Sequence, residues 1–128
     1  MPARYDKYEP KVGGFRAALA ADMVKTVANP LGVGLNSSGR VVVGAGVTGI
    51  VGVIVTTKDM KLGDIVDVMT SGECTDLGSL AAGTVYTANT TTGILSSGAA
   101  SATQTPIGFT VEATRLIVRR SANPFIGT

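Results

Sequence analysis

Gly63-Asp-Ile-Val-Asp-Val-Met69 is the stretch that decides the fold class. Ile65, Val66 and Val68 are β-branched, and turn compositions stand on both sides, Leu62-Gly63-Asp64 before and Thr70-Ser-Gly-Glu73 after, so the run predicts a short strand. Outward from it the same grammar recurs. Gly32-Val-Gly-Leu35 and Arg40-Val-Val-Val43 flank Asn36-Ser-Ser-Gly39, whose residues suit a hairpin loop. Val47 to Thr57 is the most β-branched run, with glycines that suggest bulges or close backbone approach. Thr84-Val-Tyr-Thr-Ala88 and Gly93-Ile-Leu-Ser96 bracket a second hairpin turn, Asn89-Thr-Thr-Thr92. In Pro106–Ala113, Ile107, Phe109, Val111 and Ala113 alternate onto one face, as a half-buried strand requires. Leu116 and Val118 follow out of that register, which calls for a bulge or tight turn near Thr114.

The fold class that follows is all-β, a small β-barrel or β-sandwich. Residues 1–30 read as an N-terminal arm, extended or partly helical; 31–120 as the β domain; and 121–128 as a tail carrying Phe125-Ile126. Pro2, Pro10 and Gly13-Gly14 argue against a helix in the first part of the arm. Phe15–Ala28 is the window compatible with one short helix, with Phe15, Leu19, Met23 and Val27 spaced by four, although the same segment could lie extended along a neighbour. A further helical turn fits Leu77–Ala82.

A chain of 128 residues with 45% apolar and 16% charged side chains is long enough to fold as one domain without staples. Aromatic residues are few: no Trp, with Tyr86 and Phe109 the sole rings between residues 30 and 120. The core is therefore thin in large side chains, and much of the stability is expected from packing against other chains. Residues 77–111 carry no charge, and the net charge of +2 is too small to point to nucleic acid. The polar N-terminus lacks the apolar segment of a signal peptide, and Val41–Val55 is too short and glycine-broken for a membrane span.

Reactive inventory is sparse. With no His and a single cysteine, Cys74, neither a disulfide, a multi-Cys metal site nor a Cys–His nucleophile can be assembled within the chain. Asp64 and Asp67 are separated by an odd step, so on a strand they face opposite sides and do not form a carboxylate pair. Gly44-Ala-Gly-Val-Thr-Gly49 matches G-x-G-x-x-G, yet a dinucleotide site needs a helix after it, and Ile50–Thr57 reads as strand. Asn36-Ser-Ser38 and Asn89-Thr-Thr91 fit the glycosylation pattern but read as turn residues. The expectation is a protein without enzymatic activity, cofactor or metal. Arg115, Arg119 and Arg120 form the one basic cluster.

Five motifs in order carry a family resemblance: Lys61-Leu-Gly-Asp-Ile-Val-Asp-Val-Met69, Ala82-Gly-Thr-Val-Tyr-Thr-Ala88, Thr92-Gly-Ile-Leu95, Ile107-Gly-Phe-Thr-Val111 and Leu116-Ile-Val-Arg119. In them the chain resembles the capsid cement, or head decoration, proteins of tailed bacteriophages. Upstream, Tyr5–Ala17 and Gly32–Gly46 resemble decoration proteins of phages that infect actinobacteria. The resemblance implies a β-tulip-like barrel or sandwich, made in the host cytoplasm and seated on the outside of the virion capsid. There it would be a homotrimer tying major capsid protein subunits together, with no nucleic-acid or membrane partner. On that reading Tyr5, Tyr8, Phe15 and Arg16 are expected to anchor on the shell, with Arg119 and Arg120 as further basic candidates. Tyr86, Ile94 and Leu95, within the uncharged stretch, are expected to face other copies. The competing expectation is a carbohydrate- or cell-surface-binding β module displayed on a virion.

Overall fold

Ile65–Met69 of the quoted stretch is a strand, and the chain passes from it into the second half of the molecule. The computed structural model describes residues 13–25, 30–75, 77 and 80–119. In chain order the strands are β1 (Gly14–Ala18), β2 (Leu31–Leu35), β3 (Val41–Val43), β4 (Gly52–Ile54), β5 (Ile65–Met69), β6 (Ser71–Cys74), β7 (Val85–Asn89), β8 (Leu95–Ser97), β9 (Gln104–Glu112) and β10 (Arg115–Arg119). They form two five-stranded antiparallel sheets, β1-β5-β4-β2-β3 and β6-β10-β9-β7-β8. The chain passes from the first to the second at Thr70, between β5 and β6. At that bend the Thr70 and Ser71 amides both donate to the carbonyl of Gly13, which fixes the start of β1 beside it.

The first sheet curls until its edges meet. Leu19, just past β1, forms a parallel bridge with Val41 of β3, and the Ala20 amide donates to the Val41 carbonyl at 2.9 Å. Leu19, Leu31, Val33, Val41, Ile54, Val66 and Val68 fill the enclosed space. A second core lies between the sheets, where Ile50 and Val53 from the first meet Cys74, Tyr86, Ala88, Ile107, Leu116 and Val118 from the second. Two layers around shared apolar faces are the usual solution for an all-β chain of this size.

Glycine permits the close seam between the halves. A Cβ on Gly32 would lie 2.6 Å from the Ala88 Cβ, so a larger residue there would push the sheets apart. Gly93, at φ +71°, accepts a hydrogen bond from the Gly32 amide to its carbonyl at 2.8 Å, which ties the β7–β8 turn to β2.

The turns follow from their residues. Asn36 closes the β2–β3 hairpin, its Oδ1 accepting from the Ser38 and Arg40 amides. Asn89 repeats the device, accepting from the Thr91 and Thr92 amides. Gly44, Gly46 and Gly49 all adopt positive φ in a loop, and the backbone after Gly49 is extended, so the G-x-G-x-x-G stretch lacks the helix a dinucleotide site requires.

Three sequence expectations need correction. The turn expected at Thr70–Glu73 is a bend at Thr70 alone, and Ser71–Cys74 is β6, paired with β10. No described residue of Phe15–Ala28 is helical: Gly14–Ala18 is a strand paired to β5, Leu19 bridges Val41, and Met23 bridges Met60. Nor do Ile107, Phe109 and Val111 share a face. Tyr86 pairs with Gly108 but Thr87 with Pro106, so Ile107 is the extra residue of a bulge, and the next register shift leaves Val111 extra. Ile107 and Thr110 point inward, while Phe109 and Val111 are turned out.

Candidate interaction surfaces

Three regions of the surface carry the residues that the sequence singled out. The first is a groove of about 880 Å³ along β1, β4 and β5, with Phe15, Arg16, Val55, Met60, Ile65 and Asp67 among its walls. Phe15 is half-buried and packs against the core of the first sheet, so it is a strand residue and not a free arm residue. Arg16 pairs across the ladder with Asp67, Nε to Oδ1 at 2.8 Å, with both side chains largely in solvent. Exposed pairs of this kind contribute little to stability, roughly 0–1 kcal/mol, and leave the guanidinium able to exchange partners. Tyr5, Tyr8 and Arg120 lie outside the described residues.

The second region is the end of the molecule at the β7–β8 turn. Ile94 is 49% exposed there. Leu95, one residue on, is half-buried against the core between the sheets. Tyr86 belongs to that core as well, and its phenol oxygen accepts a 2.8 Å hydrogen bond from the Ala81 amide. Its ring is therefore committed to the interior, and of the three expected copy-facing residues Ile94 offers the most apolar surface.

The third region is the outer face of the second sheet, where the sequence singled out Arg119 but not the apolar row beside it. Val85 pairs with Phe109 and Phe109 with Ile117, so the three form a row crossing β7, β9 and β10. Val85 is 54% exposed and Phe109 39%. Arg119 projects from the same side of β10, as Arg115 and Ile117 do, because Leu116 and Val118 face inward. Arg115 is held by Glu73 and Glu112, each at 2.9 Å. The Glu73 hydrogen bond, reinforced by the charge of Glu112, pushes the guanidinium further above its usual range, so it stays protonated. The signal that could have revealed this face was the need for a bulge; placed at Ile107, it turns Phe109 outward.

Of the groups able to do covalent chemistry, Cys74 is buried between the sheets 4.0 Å from the Met69 sulfur, and burial pushes its thiol above the ordinary range. Such a thiol is a poor nucleophile near neutral pH. Among the described residues no cluster of three or more Cys, Asp or Glu side chains could hold a metal ion. No helix among them is long and apolar enough to cross a membrane.

A solved chain from Mycobacterium phage Patience has the same fold, with a TM-score of 0.73 at 22% identity over 91% of this chain and 95% of that one. No protein-family model matches the sequence, and no curated protein matches it. The likeness covers nearly the whole of each chain, so the two chains share this fold.

Proposed function

We propose that the protein is a head-decoration protein of a tailed bacteriophage. It binds the outer surface of the capsid as a homotrimer and ties neighbouring major capsid subunits together against the pressure of the packaged genome. The observation that carries this reading is the fold shared, over nearly the full length of both chains, with a chain of a mycobacteriophage. The motifs behind the family resemblance support it by falling in order on β5, β7, the β7–β8 turn with β8, β9 and β10.

The mechanism is binding without covalent chemistry. Each copy contributes modest contacts, and three joined copies engage the shell together, so detachment requires several to break at once. Whatever binds only the assembled shell stabilises it by mass action. In this assignment the groove beside β1, with Arg16 on its rim, and the N-terminal segment with Tyr5 and Tyr8 meet the major capsid protein. The β7–β8 end, with Ile94 and Leu95, meets other copies.

Heads purified without the protein provide the test. Added protein should bind them and raise the temperature at which they break open; unchanged disruption would overturn the reading. A chain beginning at Gly13 keeps β1 and should fold with unchanged thermal stability while binding heads more weakly.

A further inference from the structure

Around the apolar row on the outer face of the second sheet, the charges are of both signs and lie apart along β10. At one end Arg115 is gripped by Glu73 and Glu112, so the trio carries one net negative charge (+1 − 2 = −1). At the other end Arg119 is exposed, with no ion-pair partner among the described residues. The two ends are four residues apart on one face, about 13 Å at the rise of a strand. Between them stands Ile117, with Phe109 and Val85 beside it on one side and, on the other, Glu73, which pairs with Ile117 across β6 and reaches back to Arg115.

We propose that this face is where two copies of the chain pair about a two-fold axis, with β10 of one copy running antiparallel to β10 of the other. A two-fold contact presents the same patch from both sides, so it must be self-complementary. Antiparallel stacking meets that demand: Arg119 of each copy lies over the negative end of the other, at Glu112, while the apolar rows cover one another. The favourable charge pairing is thereby made twice. A partner of a single charge sign would leave one end of the patch opposed by like charge, which disfavours it. The pairing goes beyond the decoration reading and does not depend on it. A trimer built at the β7–β8 end leaves this face free, and pairing would then join one trimer to the next.

The test uses the isolated full-length protein in sedimentation equilibrium, with no heads present, so its failure is separate from failure of the capsid reading. Mass should rise with concentration toward twice that of the smallest species, whether that is one chain or three. Arg119→Glu and Glu112→Arg should each weaken association by on the order of tenfold or more, since each creates two like-charge contacts per pair. An equimolar mixture of the two variants should restore it. In the mixed pair the carboxylate introduced at position 119 of one copy meets the guanidinium introduced at position 112 of the other, and the native Arg119 and Glu112 meet at the opposite end. Should Glu112→Arg fail to fold, salt carries the test with Arg119→Glu alone. Added salt should weaken wild-type pairing and strengthen that of the variant, whose like charges it screens. A single concentration-independent species, a mixture no stronger than its components, or an identical salt response in wild type and variant would each overturn the proposal.

Discussion

Leu19→Ala tests the closure of the first sheet. Leu19 is 0% exposed, and its backbone is held independently of its side chain: its amide donates to the Asp64 carbonyl at 2.8 Å, and its carbonyl accepts from the Gly63 amide at 3.0 Å. The substitution therefore removes core volume while leaving those bonds possible. About three buried carbon groups at ~0.8 kcal/mol each give ~2.4 kcal/mol of lost transfer energy, and the residual cavity brings the total to roughly 3–4 kcal/mol. For a chain of this length that is a fall in Tm of roughly 10–15 °C. Val24, five residues on, is 71% exposed, so Val24→Ala should change stability by no more than about 0.5 kcal/mol. Urea unfolding followed by circular dichroism measures both. Equal effects at the two positions, or a loss below about 1 kcal/mol at Leu19, would mean that the 19–25 segment does not close the sheet as described.

Three further changes probe the seam and the second sheet. Gly32→Ala places a methyl 2.6 Å from the Ala88 Cβ and 3.2 Å from the Ile50 Cδ1, and should cost about 1–3 kcal/mol in a thermal melt. Thr110→Val keeps the shape but removes the hydroxyl that donates to the Ala81 carbonyl and accepts from the Thr84 amide at 3.1 Å; leaving those groups unpaired should cost about 1–3 kcal/mol. The Cys74 thiol, raised by burial, makes a signed pH prediction. Its contribution to stability is fully present below the ordinary thiol pKa of about 8.5 and is lost as pH rises through the higher folded value, because the unfolded chain gives up the proton first. Denaturation midpoints of Cys74→Ala, compared with the parent between pH 7 and 10, should show the parent losing stability that the variant keeps; parallel curves would refute it.

Where local chemistry determines the backbone, the sequence was a sufficient guide. Asn36 and Asn89 accept from amides two residues on because an Asn side chain can reach nothing better, and so both hairpins were legible. β5 was legible because its β-branched residues follow the Leu62-Gly63 turn; β6 was not, because Ser71-Gly-Glu73 reads locally as a turn and becomes strand only by pairing with β10. β1 was not, for a simple reason: a spacing of four is even. Phe15, Leu19 and Met23 share one face of a helix, but positions spaced by two or four also share one face of a strand, so the pattern fits either. What selected the strand was the presence of β5 and β3 to pair with, a tertiary fact. The Val47–Thr57 run shortened to Gly52–Ile54 because the preceding glycines serve a loop. Of the surfaces, Arg16 and Ile94 were named from the sequence and are exposed, whereas Tyr86 is buried between the two sheets, a packing that nothing local announces.

The bulges in β9 explain why the outer face of the second sheet is more than leftover alternation. Deeper along β7 and β9 that face is polar and internally satisfied: the Thr87 hydroxyl donates to Gln104 Oε1 at 3.0 Å, and the Ser96 hydroxyl to the same oxygen at 3.2 Å. A regular β9 would have continued the pattern, with Phe109 inside beside Ile107. The extra residue at Ile107 instead keeps Ile107 and Thr110 in the interior and turns Phe109 out next to Val85 and Ile117. A large ring exposed by a backbone irregularity gives up burial that the unbulged strand would have provided. That cost is recovered if the ring is covered on assembly. The flanking charges, divided by sign along β10, indicate that the cover is another copy of the same face.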